Sequence, residues 1–371
     1  MVRIFSSAAV ILTLACSARG GEEPRAPVYP DHANLQIYLD DQGQTHPIAS
    51  KDDWAIRRRH ILAGMQQAMG PLPDRGKLPP LDIRTTDEVQ ENGARRQTIS
   101  FDSGDGNRIT AYLFLPDALR TKTAAELRLP ALLALHQTAT VGKGDTAGLG
   151  APTSRPYAAE LAARGYVVLA PDYPSFGDSQ GYDFQADRYQ SGTMKGIFNH
   201  MRCVDLLTAR DDVDAERIGA IGHSLGGHNA MFVGVFDSRL KVIVSSCGWT
   251  PFHDYYEGKI AGWTSDRYMP RLRDAYGLDA DRVPFDFYEV VAALAPRAFF
   301  SNSPLHDNNF DVAGVKKGIA AAAGIYKLLG APDQLQARYP DCGHDFPTDV
   351  RREAYGFIDK VFEHKPVKDV P

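Results

Sequence analysis

The run of residues 222–227 carries the residue pattern with the clearest chemistry. It reads Gly-His-Ser-Leu-Gly-Gly and lies between an apolar run that favours a strand (217–221) and one that favours a helix (225–235). A serine at a sharp strand-to-helix turn, with glycine two residues before and two after it, is the arrangement that presents a hydroxyl above a sheet. We therefore predict that Ser224 is a catalytic nucleophile; an ordinary glycine-rich turn is the alternative interpretation.

Ser224 needs partners, because a hydroxyl is a weak nucleophile at neutral pH unless a base and an orienting carboxylate stand beside it. His344 lies in a glycine-containing loop directly after the last apolar run, and we predict that it is the general base. The acid is expected after the preceding apolar run, where Asp307 is the first candidate and Asp311 the reserve. Whichever aspartate is not the acid would be a solvated loop residue or a helix N-cap.

Three of the four remaining histidines downstream of Ser224 fit other roles. His228 falls one turn into the predicted helix after Ser224 and is interpreted as a packing residue, while His253 and His364 fit an insertion and a C-terminal helix. No cluster of histidines and acids has metal-ligand spacing, so we expect no metal.

An acyl-transfer site also needs two backbone N–H groups for the developing oxyanion. One would be the amide of Leu225, next to the nucleophile. The second is expected in the loop after the apolar run 131–135, where Gln137 is the first candidate and Thr138 the alternative.

These residues all follow runs that favour buried strands. The runs are 131–135, 166–170, 218–221, 242–245, 298–301 and 335–339, with helical patterns such as 194–210 between most of them. This alternation predicts an α/β fold with a doubly wound, mostly parallel sheet. Ligands bind such sheets at the carboxyl ends of the strands, where every candidate lies. Upstream, 98–101 and 109–115 predict a hairpin, and 54–69 predicts an N-terminal helix.

One connection is much longer than the others. Residues 250–296 follow the run that ends near Cys247 and are rich in aromatic side chains. An insertion of this length typically forms a lid or a pocket wall, although a purely structural excursion is the alternative. The candidate substrate contacts are Trp249, directly before this insertion, and Tyr256 and Trp263 within it.

The composition restricts the class of protein. The 371 residues are 43% hydrophobic and 23% charged, with a net charge of -5, which leaves no basic surface for nucleic acid. The N-terminus has a charged start and a short apolar segment, which predicts export to the periplasm or the exterior. Cys16 would carry a lipid if the segment is a lipoprotein signal, and cleavage near Ala18 is the alternative. We expect no membrane-spanning segment.

Three cysteines would remain after removal of that leader: Cys203, Cys247 and Cys342. An odd number leaves at least one thiol free in an oxidising compartment. Cys247 and Cys342 are the candidate pair, and three free thiols are the alternative.

Several motifs together resemble the α/β-hydrolase superfamily, and within it the dienelactone-hydrolase-like and acetyl-xylan-esterase-like bacterial serine hydrolases. The motifs are His136-Gln137-Thr138 with Gly142-Lys143, Ala170-Pro171-Asp172-Tyr173 with Gly177-Asp178-Ser179, residues 222–227, Ala295-Pro296-Arg297 and Gly343-His344. The resemblance covers roughly residues 95–362 and implies ester hydrolysis through an acyl-enzyme without a metal or organic cofactor. Dienelactone hydrolases carry cysteine where this chain has Ser224, which argues against that substrate.

We therefore expect a signal peptide over 1–18, a linker and helical extension over 19–94, and an α/β-hydrolase domain over 95–371 with a lid-like insertion at 250–296. The predicted function is that of an exported serine esterase acting on a small-molecule or carbohydrate ester. A prolyl-oligopeptidase-like peptidase and a non-catalytic binding protein on the same scaffold are the alternatives.

Overall fold

The computed structural model describes residues 26–91, 93–120, 127–151 and 155–370. The expected signal peptide over 1–18, including Cys16, lies outside these residues. Within them, no helix combines the length and the apolar character that crossing a bilayer requires.

The chain alternates strands and helices after an antiparallel start. In order, the elements are β1 (Ile37–Leu39), β2 (Thr45–Pro47), α1 (Lys51–Met69), β3 (Arg84–Glu91), β4 (Ala94–Asp102), β5 (Arg108–Pro116), β6 (Leu129–Leu135), α2 (Tyr157–Ala163), β7 (Val167–Pro171), α3 (Gly192–Thr208), β8 (Val213–His223), α4 (Leu225–Phe236), β9 (Leu240–Ser246), α5 (Arg271–Asp274), α6 (Phe287–Leu294), β10 (Ala298–Asn302), α7 (Val312–Leu328), β11 (Leu335–Arg338) and α8 (Thr348–Phe362). Short 3-10 turns occupy much of the stretch between β9 and α6.

The main sheet has the strand order β11-β10-β9-β8-β6-β7-β5-β4-β3. Strands β6 to β11 pair in parallel, whereas β3, β4 and β5 pair antiparallel, as does β5 with β7. The prediction of a doubly wound, mostly parallel sheet is therefore confirmed. The sheet includes β3, which begins before the expected domain boundary at residue 95.

Helices cover both faces of the sheet, which explains why the central strands are apolar without interruption. In β6, Leu133 and Leu135 face the larger core with residues of α1, α3, α4, α6 and α7. Leu132 and Ala134 face the opposite core with residues of α2 and α8. Parallel strands layered this way bring the ends of β6, β8, β10 and β11 to one edge, where the loops with the candidate residues lie.

Helix α1 begins three residues before the expected start at Trp54. Ser50 and Asp53 form a reciprocal capping box at its N-terminus, and the chain leaves the helix at Gly70 with a φ of 90°. Asp53 is the third residue of the helix, and the apolar periodicity alone does not mark such a polar first turn.

Cys203, Cys247 and Cys342 are free thiols in the structure. The candidate pairing of Cys247 with Cys342 is not formed, so the alternative of three free thiols describes this structure. Cys203 and Cys247 are buried in the core, and Cys342 is half-buried.

Candidate active site

Ser224 occupies the turn between β8 and α4 in a backbone conformation that few residues other than glycine adopt. Its φ is 53° and its ψ is -118°. Its N–H donates to the carbonyl of Ser246 at 2.8 Å, and its own carbonyl accepts from the N–H of His228 at 3.0 Å. A positive φ in a residue with a side chain costs energy and is maintained where the surrounding structure enforces it. The turn holds Ser224 in this strained conformation at the end of β8.

The two glycines flanking Ser224 allow close backbone contacts. A Cβ atom on Gly222 would lie 2.1 Å from the carbonyl oxygen of Gly226, and one on Gly226 would lie 1.8 Å from the carbonyl oxygen of Leu135. Both distances are far shorter than van der Waals contact. The absence of side chains at these positions therefore lets the first turn of α4 pack directly on the end of β6.

His344 and Asp307 form a hydrogen-bonded pair next to this turn. The Nδ1 atom of His344 lies 2.9 Å from Oδ2 and 3.0 Å from Oδ1 of Asp307. An ionised carboxylate only accepts hydrogen bonds, so Nδ1 carries the proton and Nε2 is left as an acceptor. The His344 ring lies 5.0 Å, between centroids, from that of His223, the residue before Ser224.

Asp307 is held in its charged form. Burial acts to raise the pKa of Asp307, but the hydrogen bond and charge of His344, with the amides of Asn309 and Phe310, outweigh it and place the pKa below its usual value. The amides donate to Oδ1 at 2.9 and 3.2 Å. A buried carboxylate kept ionised in this way can orient an imidazole and stabilise its protonated form.

Asp311, the reserve candidate, caps α7. Its Oδ1 accepts from the N–H of Ala313 at 2.7 Å. This is the N-cap role that the sequence offered for whichever aspartate was not the acid.

Cys247 also lies beside the pair: its Sγ and ligand atoms of Asp307 and His344 lie within 4.8 Å of one another. Burial and the nearby carboxylate raise the pKa of the Cys247 thiol well above its usual value. The S–H group donates to the carbonyl of Asp345 at 3.2 Å. His344 Nδ1 is engaged by Asp307 and the thiol by a backbone carbonyl, so these side chains form a packed group with protein partners.

The loop after β6 lies against the start of α4. The ring of His136 is buried, its Nε2 accepts from the N–H of Tyr173 at 2.9 Å, and its Nδ1 donates to the carbonyl of Gln137 at 2.6 Å. The acceptor role of Nε2 fixes the proton on Nδ1, and burial lowers the pKa of His136, which keeps it neutral. His136 thereby fixes the carbonyl of Gln137, in a loop that begins where Gly226 packs against the carbonyls of Leu135 and His136.

Two residues that the sequence did not single out join the loops of the site. The Nε of Arg155 donates to Asp345 Oδ1 at 2.9 Å, and its Nη1 donates to Gln137 Oε1 at 3.2 Å. Asn302, at the end of β10, donates from Nδ2 to the carbonyl of Asp345 at 2.8 Å. All three contacts join residues at least 18 positions apart in sequence, so none of them leaves a local pattern.

A small cavity of about 90 Å³ opens beside Ser224. It is lined by Thr138, Ser224, Leu225, His228, Tyr255, Gly262, Trp263, Tyr268, Asn309 and Phe310. Residues 250–296 therefore supply part of its wall, and His228, expected to be a packing residue, contributes to its lining as well.

The three aromatic residues expected to contact substrate lie in different surroundings. Trp263 lines the cavity and is 3% exposed. Tyr256 is 51% exposed, and its hydroxyl donates to Asn309 Oδ1 at 3.2 Å. Trp249 is buried under the site, where its indole N–H donates to the hydroxyl of Ser301 at 3.0 Å, and it is not among the residues that line the cavity.

Comparison with known proteins places this geometry in a family. The putative hydrolase YtaP of Bacillus subtilis is 27% identical over 82% of this chain and 99% of its own length. A carbohydrate esterase from an unknown prokaryotic organism is 24% identical over 54% of this chain and 51% of its own length. The structure of a glucuronoyl esterase from Solibacter usitatus matches with a TM-score of 0.65 at 21% identity, over 92% of this chain and all of that one.

These similarities confirm the α/β-hydrolase fold and the prediction of a serine hydrolase related to esterases. The family model that matches is described as the prolyl oligopeptidase family and covers residues 153–365, more than half of the chain. The matched region includes Ser224, Asp307 and His344. This chain belongs to the prolyl oligopeptidase family.

Proposed function

We propose that this protein hydrolyses carboxylic esters of carbohydrates, with Ser224 as nucleophile, His344 as general base and Asp307 as orienting acid. The observation that supports this most directly is the 2.9 Å hydrogen bond between His344 and Asp307 beside a serine with a φ of 53°. A buried, ionised aspartate that fixes the tautomer of a histidine, next to a strained serine, has the roles of a catalytic triad.

In the proposed mechanism, Ser224 Oγ attacks the ester carbonyl carbon while Nε2 of His344 takes the hydroxyl proton. The carbonyl oxygen becomes an oxyanion that accepts hydrogen bonds from the amides of Leu225 and Gln137. The tetrahedral intermediate then collapses, the C–O bond to the alcohol breaks, and His344 returns its proton to that alcohol. Water, activated by the same imidazole, hydrolyses the acyl-enzyme and restores Ser224.

The substrate class is supported by relatives that are named as esterases and by the walls of the site. Carbohydrate and glucuronoyl esterases are among the similar proteins. Tyr255, Trp263, Tyr268 and Phe310 present aromatic surface around Ser224. Aromatic faces suit the C–H surface of sugar rings, so they are consistent with a carbohydrate ester. The charged and then apolar N-terminus of the sequence supports export, which would place the enzyme where polysaccharide esters occur.

The family assignment favours a second candidate, a serine peptidase. Peptidases and esterases of this fold share one nucleophile and base, and they differ in the leaving group that the histidine must protonate. Amide hydrolysis expels an amine, which must be fully protonated before it leaves. Because the position of Ser224 is the same for both activities, only a comparison of ester and amide hydrolysis rates separates them.

The test combines labelling with a substrate panel. We expect a serine-reactive fluorophosphonate to label wild-type protein and not Ser224→Ala, with peptide mapping that places the adduct on Ser224. Acetylated sugars and methyl uronates are then compared with dipeptide amides by kcat/KM. Hydrolysis of amides without hydrolysis of esters would establish the peptidase instead, and an unlabelled wild-type protein would exclude both activities.

A further inference from the structure

His228 is unusual among the buried histidines because it faces the cavity that holds Ser224. It is 1% exposed, and neither ring nitrogen has a hydrogen-bond partner in the described part of the chain. A buried polar atom without a partner costs about 1–3 kcal/mol, so two on one ring need an explanation.

Aromatic neighbours cover the faces of this imidazole. The centroid of the His228 ring lies 4.0 Å from that of Phe232 and 4.9 Å from that of Trp263. The interplanar angles are 32° and 33°. Rings at these distances and tilts leave the edge of the imidazole, where the nitrogens are, as the part that can hydrogen bond.

Trp263, which lines the same cavity, carries another buried donor without a partner among the described residues, the indole Nε1. Burial lowers the pKa of His228 to about 3, so the imidazole is neutral and offers one donor and one acceptor. Together the two side chains provide two N–H donors and one acceptor next to Ser224 and Leu225.

We propose that His228 and Trp263 bind a free hydroxyl group of the ester substrate and select for it. This proposal rests on the proposed function and narrows its substrate class. A hydroxyl both donates and accepts, so it can donate to the acceptor nitrogen of His228 while accepting from the indole N–H of Trp263.

The residues that line the cavity support a neutral group rather than an anion. A single hydroxyl-bearing carbon next to the ester is small enough for a cavity of about 90 Å³. The described residues that line it include no lysine or arginine, so a carboxylate would be buried there without a counter-charge.

The hydroxyl could belong to the acyl part or to the alcohol part of the ester, and two matched substrate pairs distinguish them. The acyl pair is 4-nitrophenyl glycolate with 4-nitrophenyl propionate, and the alcohol pair is 2-hydroxyethyl acetate with propyl acetate. In each pair a hydroxyl replaces a methyl group. The kcat/KM ratio within a pair is divided by the ratio of the hydroxide-catalysed rates, which removes the inductive effect of the hydroxyl.

We expect wild-type enzyme to favour the hydroxy ester of one pair by about tenfold, the effect of one neutral hydrogen bond with a buried partner. His228→Phe retains the aromatic packing and removes both nitrogens, and it should bring that ratio close to one. Trp263→Phe removes the indole N–H together with part of the fused ring but keeps an aromatic side chain; it should lower the same ratio, which also tests the proposal if His228→Phe does not fold.

His200→Phe is the matched control. His200 is another buried histidine in a helix with an unpartnered Nδ1, and burial lowers its pKa to about 3, but it does not line the cavity. We expect it to leave the ratio at the wild-type value.

Two results would overturn the proposal while leaving the proposed function intact: a corrected ratio near one in both pairs for wild type, or a ratio unchanged in both His228→Phe and Trp263→Phe. A wild-type protein that hydrolyses no ester at all would remove the proposed function and this inference with it.

Discussion

Ser224, His344 and Asp307 each have one expected chemical role, so the size of the loss in kcat should depend on which role a variant removes. Ser224→Ala and His344→Ala remove the nucleophile and the base, and we expect losses in kcat of about 10⁴-fold or more. Asp307→Asn keeps the shape but favours the wrong tautomer of His344, and a loss of about 10³- to 10⁴-fold is expected. Initial-rate kinetics on an activated ester measure all three.

Asp311→Asn is the control for Asp307→Asn. Asparagine caps a helix about as well as aspartate, so the N-cap of α7 and the activity should both remain near wild type. A larger loss of activity for Asp311→Asn than for Asp307→Asn would show that Asp311, and not Asp307, is the acid.

The pH dependence follows from the lowered pKa of Asp307. Because its carboxyl stays ionised as the pH falls into the acidic range, Asp307 should not contribute to a loss of activity between pH 8 and 5, and the general-base role requires the neutral imidazole of His344. The logarithm of kcat/KM should therefore rise with pH with a slope of one before it levels off. A profile that is flat over this range, with chemistry rate-limiting, would contradict the assignment of the base.

Which residues of the site were predictable depended on how local their signal is. Ser224 has glycines on both sides, and His344 lies in the loop directly after an apolar run, so both are recognisable from the sequence around them. The choice of Asp307 over Asp311 depended on the direction in which a loop turns, and the structure alone pairs one with His344 and the other with a helix N-terminus. Asn302 and Arg155 act across the ends of strands, and nothing in their neighbourhood along the chain marks them.

The turn between β8 and α4 depends on close packing of glycine backbone. Gly226→Ala would place a Cβ 1.8 Å from the carbonyl of Leu135, so the start of α4 must shift away from β6. We expect a marked fall in melting temperature and loss of fluorophosphonate labelling.

Gly356→Ala is the control, since it lies inside α8 with no atom within 4 Å of the added Cβ. Alanine there should stabilise the protein by about 0.5–1 kcal/mol. If Gly226→Ala melted and labelled like wild type, the tight contact at the turn would not be needed.

The stretch between β9 and α6 combines structural and exposed aromatic residues. Trp263 packs against His228, Tyr255 and Phe310, so Trp263→Ala should cost about 3–5 kcal/mol as well as altering the cavity. Tyr256 is half exposed, and Tyr256→Ala should change stability by less than about 0.5 kcal/mol.

The panel of bulky and small esters then distinguishes aromatic residues that contact substrate from those that only pack in the core. Tyr256→Ala should shift the kcat/KM ratio of bulky to small esters by a few fold with little change in melting temperature. An unchanged ratio would show that Tyr256 does not form the substrate wall, and that the selectivity of this stretch comes from its buried residues.

Secondary structure was predictable where one pattern dominates an element. The central strands are apolar without a break because helices cover both faces of the sheet, and that pattern survives in the sequence alone. The stretch 250–296 has no such pattern: it is built from short turns and from α5 and α6, and Phe287 and Val291 of α6 belong to the main core. Because the insertion forms part of the cavity wall and part of the core, its composition does not show which of its residues belong to which.

At the scale of the whole molecule, the N-terminal extension is joined to the hydrolase core by buried charges. Arg57 of α1 lies under the ring of Tyr29, and its guanidinium donates to Glu289 of α6 at 2.6 Å. Glu289 also contacts His32 at 2.9 Å, and the hydrogen bond and charge of Glu289 raise the pKa of His32 against the effect of burial. These contacts connect residues 26–35 and α1 with the helix that closes the insertion.

Breaking this connection should destabilise the enzyme as a whole. Arg57→Met leaves Glu289 buried with less compensation, and removal of one partner from a buried pair typically costs about 3–5 kcal/mol. Arg273→Met is the matched control, since its ion pair with Asp274 is more than half exposed on both sides and should contribute little to stability. Denaturant unfolding of both variants, followed in parallel with ester hydrolysis, measures the difference.

If Arg57→Met unfolds at the same denaturant concentration as Arg273→Met, the extension lies on the surface of the core without stabilising it. A large shift for Arg57→Met alone would mean that the helix closing the insertion is held from the N-terminal side, so that the extension supports the wall of the active site from the opposite end of the chain.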